Sequence, residues 1–79
     1  MGAKLIFSYD RASDTLYIDK LAPYAEQQSQ ELGDDIVVRI NPATGGVENL
    51  EVMFFSPRLL KEEPVEIPID AELRVSAET

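Results

Sequence analysis

Apolar side chains recur at every second position through most of this chain, the signature of β-strands with one buried face. From Lys4 to Tyr9, Leu5, Phe7 and Tyr9 alternate with Lys4, Ile6 and Ser8. From Thr15 to Leu21, Leu16 and Ile18 alternate with Thr15, Tyr17 and Asp19. Between them, Asp10-Arg11-Ala12-Ser13-Asp14 is rich in short polar side chains that bond their own backbone in turns, so the two runs read as a β-hairpin. Pro23 ends the second strand. The Gln-rich stretch Glu26–Leu32 fits either an exposed edge strand or an irregular loop, and Gly33-Asp34-Asp35 is a turn.

Ile36–Ile40 reads as a strand with Ile36, Val38 and Ile40 on one face, and Asn41–Gly46 as a turn, because Pro42 presets φ and the Gly pair permits positive φ. Val47–Phe55 is the returning strand of a second hairpin. Ser56 is then an expected N-cap, Pro57 the first helical position, and a short helix is predicted near residues 57–62, stopped by Pro64. The longest alternation comes last: Val65, Ile67, Ile69, Ala71, Leu73 and Val75 share one parity, which no helix gathers onto a single stripe. A C-terminal strand is therefore expected. Pro68 places it at an edge or at a break, packed on the body of the sheet or on a second subunit. The whole reads as one mainly-β domain spanning residues 1–79, an antiparallel meander of about five to six strands, since the connections are too short for parallel crossovers.

With 79 residues, such a domain has a core worth only a few kcal/mol net, on the order of 3–5, so a second subunit is a natural source of stability. The chain has no Cys and no His, which excludes disulfides and zinc sites built on thiolate or imidazole. No apolar run is long enough to span a membrane and no signal-peptide pattern is present, so a cytoplasmic protein without membrane partners is expected. Fifteen acidic residues against seven basic ones give a net charge of -8, which argues against a nucleic-acid partner and favours a basic protein partner.

Several of these runs are similar to a known family. Tyr9-Asp10 ahead of Ser13-Asp14-Thr15-Leu16-Tyr17-Ile18, then Glu31-Leu32-Gly33-Asp34-Asp35-Ile36-Val37-Val38, then Gly45-Gly46-Val47-Glu48-Asn49-Leu50-Glu51-Val52, resemble the domain-of-unknown-function family 2283, small bacterial and archaeal proteins. The likeness covers about residues 4–60. Asn49-Leu50-Glu51-Val52 stands where the family pattern has Gly-Ile-Glu-Ile, and the chain from Val65 onward is less typical of it. The resemblance implies the fold more than the function. Similar proteins are sometimes encoded beside a small toxin-like protein, which implies an antitoxin-like role carried by no particular residue.

Few residues suggest chemistry. Asp10 and Asp14 flank the first loop and are the weak candidates for a hard divalent cation, with hydrolytic activity as the attached alternative. The loop has two carboxylates, one Ser and no Gly, which suits hairpin capping better. Asp34-Asp35 reads as turn chemistry, and Tyr9 and Tyr17 as packing aromatics. Without His to activate a serine, and without a Gly-rich loop opening a helix, no catalytic residue and no cofactor is expected. Met53, Phe55, Leu59 and Leu60 form an apolar group straddling the end of the fifth strand and the short helix, which reads equally as core or as a homodimer contact.

Overall fold

The computed structural model describes residues 4–76. Its strands are β1 (Ile6–Asp10), β2 (Thr15–Asp19), β3 (Gln28–Gly33), β4 (Ile36–Ile40) and β5 (Val47–Val52), followed by a single turn of helix, α1 (Phe55–Arg58). All pairings are antiparallel, in one sheet of order β1-β2-β5-β4-β3. The mainly-β antiparallel reading with one short helix is thus what the chain adopts. The strands do not follow chain order across the sheet, however. Residues 20–27 carry the chain from β2 past two strands to the far edge, and β5 returns to fill the gap between β2 and β4.

Because directly opposed residues share a face, the register sorts the side chains. Tyr9, Leu16, Val52 and Ile36 lie in one row, and Phe7, Ile18, Leu50, Val38 and Gln30 in the next. These two rows make the apolar face. Ile36, Val38, Leu50 and Val52, a block of two residues on each of the two central strands, are its buried core. Coverage fades toward β1, where Phe7 is still 60 % exposed. The opposite face carries Ser8, Tyr17, Asp19, Asn49, Glu51, Arg39 and Ser29.

Four boundaries differ from the sequence reading. Glu26–Leu32 resolves into the edge strand β3, with a register shift between Glu31 and Gly33. The fifth strand stops at Val52, not Phe55, because Phe54 adopts a left-handed backbone (φ 50°) that breaks the alternation. The helix starts at Phe55, so it falls on residues 55–58 instead of 57–62. Ser56 lies inside it and makes no N-cap bond, since its hydroxyl is held by Asp14.

The fourth difference is the largest: residues 65–76 form no strand. They cross the apolar face as an extended strap, with Ile67 and Ile69 half-buried beneath it and Leu73 and Val75 exposed. In residues 65–75 the one backbone hydrogen bond among described residues runs from Ile69 N–H to the Ile67 carbonyl, 2.8 Å, closing a three-residue turn around Pro68. Pro68 has no N–H for a ladder, and both neighbours of the central strands are already taken.

Candidate functional site

The Asp10–Asp14 loop is built by its own carboxylates. Asp10 Oδ1 accepts the Ala12 N–H at 3.0 Å and Oδ2 accepts the Ser13 hydroxyl at 2.9 Å, a turn of the kind Asp forms two residues ahead. Asp14, at φ 53°, faces the other way, toward α1. It accepts the Tyr9 hydroxyl, the Ser56 N–H at 3.0 Å and the Ser56 hydroxyl at 2.8 Å, while its carbonyl takes the Phe55 N–H at 3.0 Å. The Tyr9 hydroxyl above all, helped by Ser56, holds the Asp14 carboxyl below the ordinary 3.8 against partial desolvation. The same bond raises the Tyr9 phenol above 10.0. The Tyr9 ring rests on Phe55 with centroids 6.0 Å apart. Asp10 and Asp14 therefore do not converge on a common point: one folds the loop and the other docks the helix. Among the described residues no group of three or more His, Cys, Asp or Glu is arranged to hold a metal ion.

Tyr9 and Tyr17 lie on opposite faces, because Tyr9 opposes Leu16 and Tyr17 opposes Ser8. Asp34 and Asp35 sit in a left-handed run with Gly33 (φ 91°, 54° and 60° from Gly33 onward). Arg58 clamps that turn. Its guanidinium bonds the Asp34 carbonyl, reaches the Asp34 carboxylate at 3.1 Å and donates to the Met53 carbonyl at 3.3 Å. Met53 and Phe55 are half-buried, Phe55 against Tyr9, while Leu59 and Leu60 are 68 % and 88 % exposed.

The polar face holds a network the sequence reading missed. Between Arg39 and Ile40 the β4–β5 register shifts, so that Asn49 and Val47 find partners and Glu48 is the extra residue of a bulge. Glu48 and Asn49 both receive the 20–27 connection. Glu48 accepts the Tyr24 hydroxyl at 2.7 Å, Gln27 Nε2 at 3.0 Å and Asn41 Nδ2 at 3.1 Å. Asn49, 1 % exposed, accepts Gln27 Nε2 at 2.7 Å and donates to Asp19 Oδ1 at 2.8 Å and the Leu21 carbonyl at 2.7 Å. Gln27 first, then Tyr24, keeps the Glu48 carboxyl below 4.5, and Glu48 raises the Tyr24 phenol above 10.0. The legible signal was Asn49 itself: an amide in the middle of an apolar strand is disfavoured unless its hydrogen bonds are met. Beside this network Arg39 pairs diagonally with Glu51 at 2.7 Å.

Each of these clusters satisfies itself. Among the described residues no buried side-chain nitrogen or oxygen lacks a hydrogen-bond partner. A large concave feature among the described residues is mostly apolar. Between the sheet face and the strap runs an open trough of 920 Å³, with Phe7, Ile18 and Leu50 on its floor and Ile67, Ile69 and Leu73 on its roof. Its size is that of a ligand or peptide groove.

The chain is thus a small antiparallel sheet with one apolar face and a C-terminal strap beside it. The chain belongs to the DUF2283 family, described as a protein of unknown function, whose model matches residues 6–56. The matched span holds all five strands and ends at the Ser56 that Asp14 grips; the strap lies outside it. No curated protein and no solved structure matches the chain. No helix among the described residues is long and apolar enough to cross a membrane.

Proposed function

We propose that this chain is a small, acidic, non-catalytic interaction module that works as a homodimer and takes a basic protein partner along its strap. The observation that carries the reading is the trough. An apolar groove of 920 Å³ is roofed by a segment whose backbone makes no ladder to the sheet, so an extended partner segment can enter beside the strap or replace it. The preference for a basic partner comes from the chain as a whole, of net charge -8, and from Glu62, Glu63, Glu66, Asp70 and Glu72 on the strap, set against Lys61 and Arg74 at its two ends and Lys4 and Lys20 on the trough lining. An antitoxin-like role, in which the module masks a basic protein, is the form of this reading that the family resemblance suggests.

The test uses the full chain and a synthetic ten-residue peptide that alternates Leu with Lys, followed by amide chemical shifts. Saturable binding with shifts at Ile18, Leu50, Ile67 and Ile69, weakening as salt rises, is expected. A peptide with Glu in place of Lys should not bind. Equal binding of both peptides, or of neither, overturns the reading.

A further inference from the structure

The two edges of the sheet are finished differently. β3, at one edge, has the protections that keep sheet edges apart: polar Gln28, Ser29, Gln30 and Glu31, and a register shift before Gly33. β1, at the other edge, has fewer. It pairs only with β2, it contains no proline and no bulge, and its one charge is Asp10 at its end, after the uncharged run Leu5–Tyr9. Its apolar side chains are open on both faces, with Leu5 46 %, Ile6 55 %, Phe7 60 % and Tyr9 45 % exposed. An unprotected apolar edge is a template for another strand.

We propose that the strand it accepts is β1 of a second copy, joined antiparallel about a two-fold axis at Phe7 to make one ten-stranded sheet. The inference rests on the homodimer reading above and names its surface. A two-fold axis perpendicular to the sheet must pass through a residue, since directly opposed side chains share a face. With the axis on Phe7, the segment Lys4-Leu5-Ile6-Phe7-Ser8-Tyr9-Asp10 reads against itself as a charge-complementary palindrome. Lys4 faces the partner's Asp10, Leu5 faces the partner's Tyr9, Ile6 faces the partner's Ser8, and Phe7 meets the partner's Phe7. Shifting the axis to Ile6 or Ser8 removes both ion pairs. Leu5, Phe7 and Tyr9 lie on the apolar face, so the contact continues that face across both copies and covers the side where the core is thinnest. Lys4 has no ion-pair partner within its own chain among the described residues, and the turn bonds of Asp10 leave its carboxylate with further acceptor capacity.

Four half-exposed apolar side chains, each of roughly 150–250 Å², bury about 400 Å² per copy. That is about 800 Å² in all, below the usual range of stable interfaces, so a weak dimer, of micromolar strength at best, is expected.

The chain has no cysteine, so a single Phe7→Cys change gives an unambiguous cross-link test. Opposed residues on the axis have Cα atoms about 4.5 or 5.5 Å apart, both within reach of a disulfide. The experiment combines sedimentation equilibrium of the full chain with mild oxidation of the variants. Wild type should dimerise. Phe7→Cys should convert to a covalent dimer, and Ser29→Cys on the opposite edge should not. Lys4→Glu should weaken association about tenfold, the order expected of two exposed ion pairs made repulsive. Adding Asp10→Asn, which keeps an acceptor oxygen for the Ala12 N–H, should recover most of that loss. A dimer that ignores Lys4→Glu and leaves Phe7→Cys uncross-linked overturns this surface while leaving the homodimer reading intact. A wild type that stays monomeric into the millimolar range overturns both.

Discussion

Replacing Asn49 by Ala should be among the most damaging single changes in this chain, although it removes no apolar contact of size. Asn49 is 1 % exposed and makes three hydrogen bonds, at 2.7 Å from Gln27, 2.8 Å to Asp19 and 2.7 Å to the Leu21 carbonyl. All three partners belong to the end of β2 and the connection after it. A net contribution of about 1 kcal/mol per bond gives about 3 kcal/mol for the set. A domain of this size is stable by only about 3–5 kcal/mol, so the variant should keep about 0–2 kcal/mol and be half unfolded at the lower limit. At about 4–8 °C per kcal/mol its melting temperature should fall by about 12–24 °C. Asn49→Asp separates geometry from polarity. It keeps the acceptor for Gln27, loses both donors and sets a carboxylate against Asp19, so it should be worse than Ala at neutral pH and recover as the pH falls. Urea denaturation followed by circular dichroism gives the free energies, and amide exchange at Gln27 shows whether the connection detaches first. If Asn49→Ala stays within about 0.5 kcal/mol of wild type, the network does not anchor the connection and the argument from satisfied polar groups fails here.

Other expectations follow from the same geometry. Ile36→Ala, at a side chain 1 % exposed in the central block, should cost about 2–5 kcal/mol, whereas Leu60→Ala, at 88 % exposure, should stay within about 0.5 kcal/mol; equal effects in thermal melts would contradict the placement of the core. Asp14 has its folded-state pKa below 3.8, so its contribution to stability is present above that value and is lost as the pH falls through the lower folded-state one. An acid titration of stability should lose this component in Asp14→Asn. Tyr9 and Tyr24 should ionise above 10.0 in a phenolate absorbance titration, with Asp14→Asn returning Tyr9, and not Tyr24, toward the ordinary value. Joint movement of both tyrosines in that variant would show that the two carboxylates do not act separately.

The first, second and fourth strands were legible because each is short, alternates cleanly and ends in residues with a specific turn chemistry. Asp10 folds the first loop by bonding groups two and three residues on, as short carboxylates do, whereas Asp14, read as its companion in the hairpin turn, reaches Tyr9 and Ser56 instead. The end of β5 was not legible. Met53, Phe54 and Phe55 continue an apolar run, and only the left-handed backbone at Phe54, held by the pairing of Phe55 N–H with the Asp14 carbonyl forty-one residues earlier in the chain, ends the strand. The polar network was hidden for a similar reason. Its members come from residues 19, 24, 27, 41, 48 and 49, and nothing local announces that Tyr24 and Gln27 will lie over Glu48.

The strap shows most clearly what a two-residue rhythm contains. Val65, Ile67, Ile69, Ala71, Leu73 and Val75 alternate because an extended chain presents successive side chains to opposite sides. That alternation records which side is apolar, and it is silent on whether the backbone bonds lie in a sheet. A strand must place its N–H and C=O groups beside another strand. A strap need only lie over an apolar face, and Pro68 removes a donor that a ladder would have used. Ile67 and Ile69 face the sheet as the pattern requires, while the backbone that carries them pairs with no strand. The consequence is energetic. With no ladder to break between residues 65 and 75, lifting that stretch of the strap sacrifices mainly the side-chain burial of two half-covered isoleucines, so it should cost less than detaching a strand. A β1-paired dimer would set two troughs on the same face of one sheet. Lys4, Leu5 and Phe7 line the trough and also form the dimer seam, so the self-association and the partner binding proposed here meet at β1 and should influence each other.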